Sequence, residues 1–324
     1  MSHEMMMMML MMRRMKRLEG RHGDGDEDED EDEAGYNDHE QQQEEEKELQ
    51  LQYNYEQWRL QCEKYDTTET GITTRIAGGN LAEPEMFPYQ VGLLIESAGT
   101  KGELLQCGGS LIAEDVVLTA AHCLWNAKRV RVFLGSLRFA DSTDATETFL
   151  ISQEDFTIYP GYLGFGGYND LAVIHLPRKA KLSNRVKTIA LLDNDYMQEQ
   201  SFLVNQVVSV SGWGSLSDGT NSTHIHQQNR LLYYADVRVM EQENCECYYL
   251  PGLVSRSRHL CTDGSNAKGA CQGDSGGPLV LQWQNINYLI GIISFGNADG
   301  CELGSPTVYT RVSTFANWLQ HFIQ

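Results

Sequence analysis

Beyond residue 75 the chain is a succession of short apolar, β-branched runs, and that spacing leaves few folds open to it. Val91–Ile95, Ser110–Ile112, Val116–Thr119, Val130–Leu134, Leu171–Leu176, Val207–Val210, Leu289–Ser294 and Thr307–Val312 recur with Gly, Asn, Asp and Pro between them. Runs of this length, punctuated by turn residues, predict an all-β antiparallel barrel or sandwich. Only the end changes period. Val312, Phe315, Trp318, Leu319, Phe322 and Ile323 fall on one stripe of a helix that can lie against the body. At 324 residues and 41 % hydrophobic content, the chain can bury a sizeable core as one or two domains.

The first 75 residues read differently. They hold 21 Asp/Glu against 9 Lys/Arg, whereas the remainder holds 24 against 16, and the two parts sum to the net charge of −20. A strongly acidic chain lacks the basic face that a nucleic-acid partner requires. Asp24–Glu33 and Glu40–Glu48 are charged, low-complexity tracts expected to be disordered, and Leu49–Tyr65, which has some aromatics, is expected to form a short helix or to dock onto the globular part. The start, MSHEMMMMMLMMRRMKR, has only eight consecutive apolar residues, Met5 to Met12, with its basic cluster after them. That is a poor secretory signal, or a misassigned start. Arg14–Arg17 could be a processing site. No run approaches the roughly 18 apolar residues of a membrane-spanning helix. Eight cysteines, seven of them after residue 100, nevertheless suggest an oxidising, extracellular setting.

Chemistry concentrates in three fragments. KGACQGDSGGPLV places Ser275 among glycines, VLTAAHCLW places His122 after an apolar strand, and YNDLAVIHL places Asp170 at the entry to another. A serine is a weak nucleophile until a base activates it and a third group orients that base. Together with SGWG, these fragments resemble the trypsin/chymotrypsin-like serine proteases, from Ile76 to the C-terminus.

The resemblance implies two six-stranded antiparallel barrels with a C-terminal helix, preceded by a pro-segment over 1–75. It makes His122 the general base, Asp170 its orienter and Ser275 the nucleophile. The N–H groups of Gly273 and Ser275 become the oxyanion hole. TTRIAGG matches the family's activation site, so an upstream trypsin-like protease would cut after Arg75 and free the Ile76 amine to pair with Asp274. Family disulfides imply Cys107–Cys123 and Cys271–Cys301, and Cys261 with either Cys245 or Cys247. Cys62 and the one left over could then tether the pro-segment, although the usual partner position, near Ile189–Ala190, has no cysteine.

Substrate contacts would come from Gly269, Ala270, Gln272, Ser294, Phe295, Gly296 and Thr307. Trypsin-like members carry Asp where this chain has Gly269, followed by Ala270, so a cationic side chain would be desolvated there without a partner. Thr307 stands where chymotrypsins usually have Gly and should make the pocket shallow. Leu, Phe, Tyr or Met is the expected residue before the cleaved bond, with small, elastase-like residues as the alternative. The resemblance also extends to insect and crustacean chymotrypsin-like and collagenolytic enzymes. A different class of function, an inactive homologue acting as a regulator, is disfavoured by the intact His122, Asp170, Ser275 and Gly273.

No cofactor or metal is expected. His224 and His226 could ligate an ion but have no Cys or carboxylate nearby. The family's calcium loop begins with Glu after a Gly, whereas Gly135 is followed by Ser136. Asn221 heads the single glycosylation sequon. Expected partners are polypeptide substrates, the activating protease and protein protease inhibitors, around a monomer without membrane or nucleic-acid contacts.

Overall fold

The computed structural model describes residues 31–63, 79–98, 104–164, 167–192, 200–216, 230–265, 268–297 and 300–323. The Met-rich start, Arg75, Ile76, Asn221 and His224–His226 lie outside them.

One helix, α1 (Glu31–Cys62), covers the Glu40–Glu48 tract for which disorder is the sequence expectation. Glu, Gln, Lys and Leu are strong helix formers, and a helix satisfies its own backbone without burying a face. Leu49, Leu51, Tyr53 and Leu60 are accordingly exposed. Local pairs support the turns, with Gln50 Nε2 donating to Asn54 Oδ1 at 3.0 Å and Arg59 lying 3.2 Å from Glu56.

The remaining elements are β1 (Asn80–Leu81), β2 (Gln90–Ser97), β3 (Leu104–Ala113), β4 (Val116–Thr119), α2 (Ala121–Leu124), β5 (Ala127–Leu134), β6 (Glu147–Ser152), β7 (Phe156–Ile158), β8 (Ala172–His175), β9 (Ala190–Leu191), α3 (Gln200–Leu203), β10 (Val207–Gly212), β11 (Tyr233–Arg238), α4 (Gln242–Glu246), β12 (His259–Thr262), β13 (Pro278–Trp283), β14 (Ile286–Phe295), β15 (Thr307–Arg311) and α5 (Ala316–Leu319). They form two curled sheets. The first runs β6-β5-β2-β3-β4-β8-β7, and the second β1-β11-β10-β13-β14-β15-β12 with β9 added in parallel to β14. These are the two expected antiparallel half-barrels. Three short strands, β7, β1 and β9, extend them from six strands each to seven and eight.

Each sheet encloses its own apolar interior. Leu93, Ile95, Leu118, Val130 and Val132 fill the first, and Val208, Val210, Leu260, Leu279 and Tyr309 the second. The C-terminal stripe behaves as its spacing predicts, through a 3-10 turn (Val312–Phe315) that leads into α5. Val312, Phe315 and Leu319 are buried, and Tyr159, which follows β7, packs edge-on against Phe315 and Trp318 at 5.0 and 5.3 Å. The last element of the chain therefore straps the first half-barrel.

Cys107–Cys123, Cys245–Cys261 and Cys271–Cys301 are bonded, so Cys245 is the partner of Cys261. Cys62 and Cys247 are disulfide-bonded as well.

Removing the Phe315 ring should leave a cavity where the strap meets the body. Phe315→Ala is expected to cost about 3–5 kcal/mol in urea denaturation. A loss below about 1 kcal/mol would show that the strap contributes little.

Candidate active site

Strand register brings the first two residues of the site together. β4 pairs antiparallel with β8 so that Thr119 faces Ala172. The chain beyond Thr119 enters α2 and carries His122, while Asp170 lies two residues before Ala172, and both emerge at the same end of the pair. The His122 ring nitrogen Nδ1 lies 2.7 Å from Asp170 Oδ2, and its backbone N–H donates to Asp170 Oδ1 at 2.9 Å. An ionised carboxylate only accepts, so the imidazole proton sits on Nδ1 and Nε2 keeps its lone pair. The His122 side chain is one-third exposed and that of Asp170 is almost fully buried.

The second half-barrel completes the carboxylate's shell. A register shift between Ile293 and Phe295 on β14 lets Ser294 turn its hydroxyl to Asp170 Oδ2 at 2.6 Å. Thr310 Oγ1 on β15 donates to the Asp170 carbonyl at 2.9 Å. Burial works against charge on His122, but the hydrogen bond and the negative charge of Asp170 outweigh it and lift the imidazole above its ordinary value.

Ser275 lies on the loop between β12 and β13. Asp274 N–H donates to the Cys271 carbonyl at 3.0 Å, Gly277 N–H to that of Asp274 at 2.9 Å, and Gly276 N–H to that of Ile293 at 2.8 Å. From the first half-barrel, Gly108 N–H donates to the Ser275 carbonyl at 2.7 Å. The Cys123 sulfur lies 3.8 Å from His122 Nε2 and 3.7 Å from the Ser275 carbonyl oxygen, so both residues flank the same disulfide. Gly273 sits at φ +97°, which only glycine adopts readily. Among the described residues, neither its N–H nor that of Ser275 donates to another group of the chain.

Gly269 is buried, and a Cβ built on it would lie 2.8 Å from Thr307 Oγ1. Thr307 itself is buried, Ala270 is partly buried against the second interior, and Gln272 is exposed. Gly296 faces open space. Cys107, His122 and Cys123 offer three donor atoms within 4.8 Å, but the sulfurs are bonded to each other and provide no thiolate for a metal. After Gly135 the loop is closed by protein groups. The Asp144 carboxylate accepts from Ser136 Oγ and from the N–H groups of Leu137 and Arg138 at 3.0, 2.6 and 2.8 Å.

Similarity to known proteins agrees with this geometry. The family profile described as Trypsin matches residues 76–319. The chain belongs to the trypsin family. It is 37 % identical to Brachyurin of Leptuca pugilator over 247 residues, which cover 76 % of this chain and 97 % of that protein. It is 34 % identical to Collagenase of Hypoderma lineatum over 76 % of this chain and 86 % of the relative. A solved HL collagenase structure superposes with a TM-score of 0.62 at 33 % identity, covering 76 % of this chain and 97 % of that one.

Within this trypsin-family frame, the contacts of three residues carry no local signal in the sequence, although Ser294 itself is named there as a substrate contact. Ser294 and Thr310 reach Asp170 by side-chain hydroxyl groups. Gln106 on β3 donates from Nε2 to the Trp213 carbonyl at 2.7 Å and reaches the Gly273 carbonyl at 3.4 Å, linking the first half-barrel to the loop before Ser275. Each lies far along the chain from the residue it serves.

Asp274 is the most exposed to electrostatic cost. Burial raises its pKa to about 6, against the hydrogen bonds from the Cys271 and Gly214 N–H groups at 3.0 and 2.6 Å. The folded chain then holds a proton that the unfolded chain releases near pH 3.9, so stability falls as pH rises from about 4 to about 6. The loss should be on the order of 3 kcal/mol. Urea midpoints measured across that range for wild type and Asp274→Asn should diverge, with the variant flatter. Parallel profiles would contradict the assignment.

Proposed function

We propose that the chain is the zymogen of a secreted serine endopeptidase, with a pro-segment over 1–75 and a protease domain over 76–324. The observation that carries this reading is the buried Asp170 carboxylate bonded twice to His122, beside the loop that holds Ser275. A trypsin-like protease cuts after Arg75. The new Ile76 ammonium then pairs with the buried Asp274 carboxylate, which favours the ionised form.

In the active form, His122 Nε2 takes the proton from Ser275 Oγ as that oxygen attacks the substrate carbonyl. The oxyanion is held by the Gly273 and Ser275 N–H groups, which donate to no group among the described residues. Asp170 holds the imidazole in the required tautomer and stabilises the imidazolium. The proton passes to the leaving amine, an acyl-enzyme forms on Ser275, and water attacks it with His122 again as base. Each removed oxyanion donor costs about 10²–10³ in rate in such sites.

The residue accepted before the cleaved bond is large and apolar. Gly269 provides no charge, and the Thr307 hydroxyl lies close enough to the place of a floor side chain to limit depth. Desolvating an Arg or Lys there without a partner costs several kcal/mol. The disulfides fit an extracellular setting, where polypeptide substrates and protein protease inhibitors are the partners.

The chain cut after Arg75 should be assayed on p-nitroanilide peptides that differ only before the bond. Leu, Phe, Tyr and Met substrates are expected to exceed Ala and Arg by at least tenfold in kcat/KM, and Ser275→Ala to be inactive. Preference for Ala would establish the elastase-like alternative, and preference for Arg would refute the pocket argument. No hydrolysis together with no fluorophosphonate labelling of Ser275 would refute the enzyme and leave the regulatory homologue.

A further inference from the structure

The four residues Gly167–Asp170 are each held by a group from the second half-barrel. Gly167 and Tyr168 are tied by His259 and the Gly252 carbonyl, Asn169 Oδ1 accepts from Arg258, and Asp170 is held by Ser294 and Thr310. Two of these holding residues, Gly252 and Arg258, come from the short stretch that leads into β12, and His259 is the first residue of that strand. None belongs to the motifs that identify the family.

His259 is fully buried, and both of its ring nitrogens are used. The Ser255 N–H can only donate, and it lies 2.9 Å from Nδ1, so Nδ1 is the acceptor. The ring proton is then on Nε2, 3.1 Å from the Gly167 carbonyl, which can only accept. Burial lowers the His259 pKa in agreement with this neutral form; the Gly167 carbonyl and Asp170 oppose that shift and Arg258 adds to it. The ring stands edge-on between Tyr168 and Phe295, 5.8 Å from each at 81° and 85°. Gly167 adopts φ +65°, and a Cβ there would fall 2.3 Å from the Phe295 ring, so its backbone is seated directly on that wall residue.

We propose that His259 is a positioning residue for catalysis: its neutral imidazole, assisted by Arg258, ties the Gly167–Asp170 segment to β12 and to Phe295, and so sets both the placement of Asp170 and the wall that meets the substrate. The proposal rests on the reading of Asp170 as the orienter of His122. A histidine kept only to fill space would need its ring and not its two nitrogens, which separates the two roles experimentally.

Three substitutions divide those features. His259→Phe keeps an aromatic ring and loses both hydrogen bonds. His259→Asn keeps an acceptor for the Ser255 N–H and loses the tie to Gly167, whereas His259→Gln extends an amide N–H to the position of Nε2 and keeps that tie. In the chain cut after Arg75, kcat on the best apolar peptide should fall tenfold or more for Phe and Asn and stay within about threefold of wild type for Gln. Thermal midpoints should fall for all three. KM should rise in Phe and Asn for peptides extended upstream of the cleaved bond more than for a single-residue ester. Arg258→Met, at a partly exposed position, supplies an arm that does not depend on replacing a buried ring and should lower kcat several-fold. Wild-type kcat in His259→Phe or in Arg258→Met, or a His259→Gln variant no more active than His259→Phe, would overturn the proposal. Wild-type hydrolysis tests the underlying reading separately, because the proposal concerns only the ratio of variant to wild type.

Discussion

A carboxylate buried between two half-barrels must be satisfied from both, and Asp170 meets that requirement. Its carboxylate takes two bonds from His122 in its own half-barrel and one from the Ser294 hydroxyl in the other, where the Thr310 hydroxyl also donates to the Asp170 backbone carbonyl. An unpartnered charge at that depth would cost several kcal/mol or simply neutralise. The seam between the sheets is thus set where the charge is satisfied, and the site lies on the seam. The Gly108 N–H bond to the Ser275 carbonyl and the reach of Gln106 toward Gly273 cross the same boundary. The loop carrying Ser275 is consequently registered against His122 by bonds from each side.

The short loop Gly269–Gly277 concentrates several requirements in nine residues. It holds the uncharged Gly269, a disulfide, two N–H groups that donate to no group among the described residues, and a fully buried acid. These demands pull in opposite directions energetically. Among the described residues the Gly273 and Ser275 N–H groups donate to no group of the chain, and the Asp274 carboxylate accepts from two backbone N–H groups. A loop with such an electrostatic deficit is suited to control by one added cation, whereas a fully satisfied loop would have nothing left to respond with.

Much of this was legible in the sequence where the determinant is local. The β runs, the C-terminal stripe and the fragments around His122, Asp170 and Ser275 each carry their signal within a few residues. What could not be read depends on register. Ser294 reaches Asp170 because β14 is irregular next to it, and His259 reaches Gly167 across 92 positions of chain. The choice between Cys245 and Cys247 is of the same kind. Cys245 lies on α4 and Cys247 just past its end, still with helical backbone angles, so the two point roughly 200° apart and only one can face β12; Cys245 is the fully buried one. The Glu40–Glu48 tract lies on α1 for another reason: its composition excludes a core, but a helix of good formers does not need one.

The site depends most on Asp170 acting on His122, and the pH dependence of kcat/KM for Asp170→Asn tests that dependence most directly. Asp170 holds the imidazole tautomer and raises its pKa. The variant, cut after Arg75, should lose about 10⁴-fold in kcat/KM at neutral pH, with its acid limb displaced to lower pH than in wild type. A variant within tenfold of wild type, with the acid limb unmoved, would contradict the account.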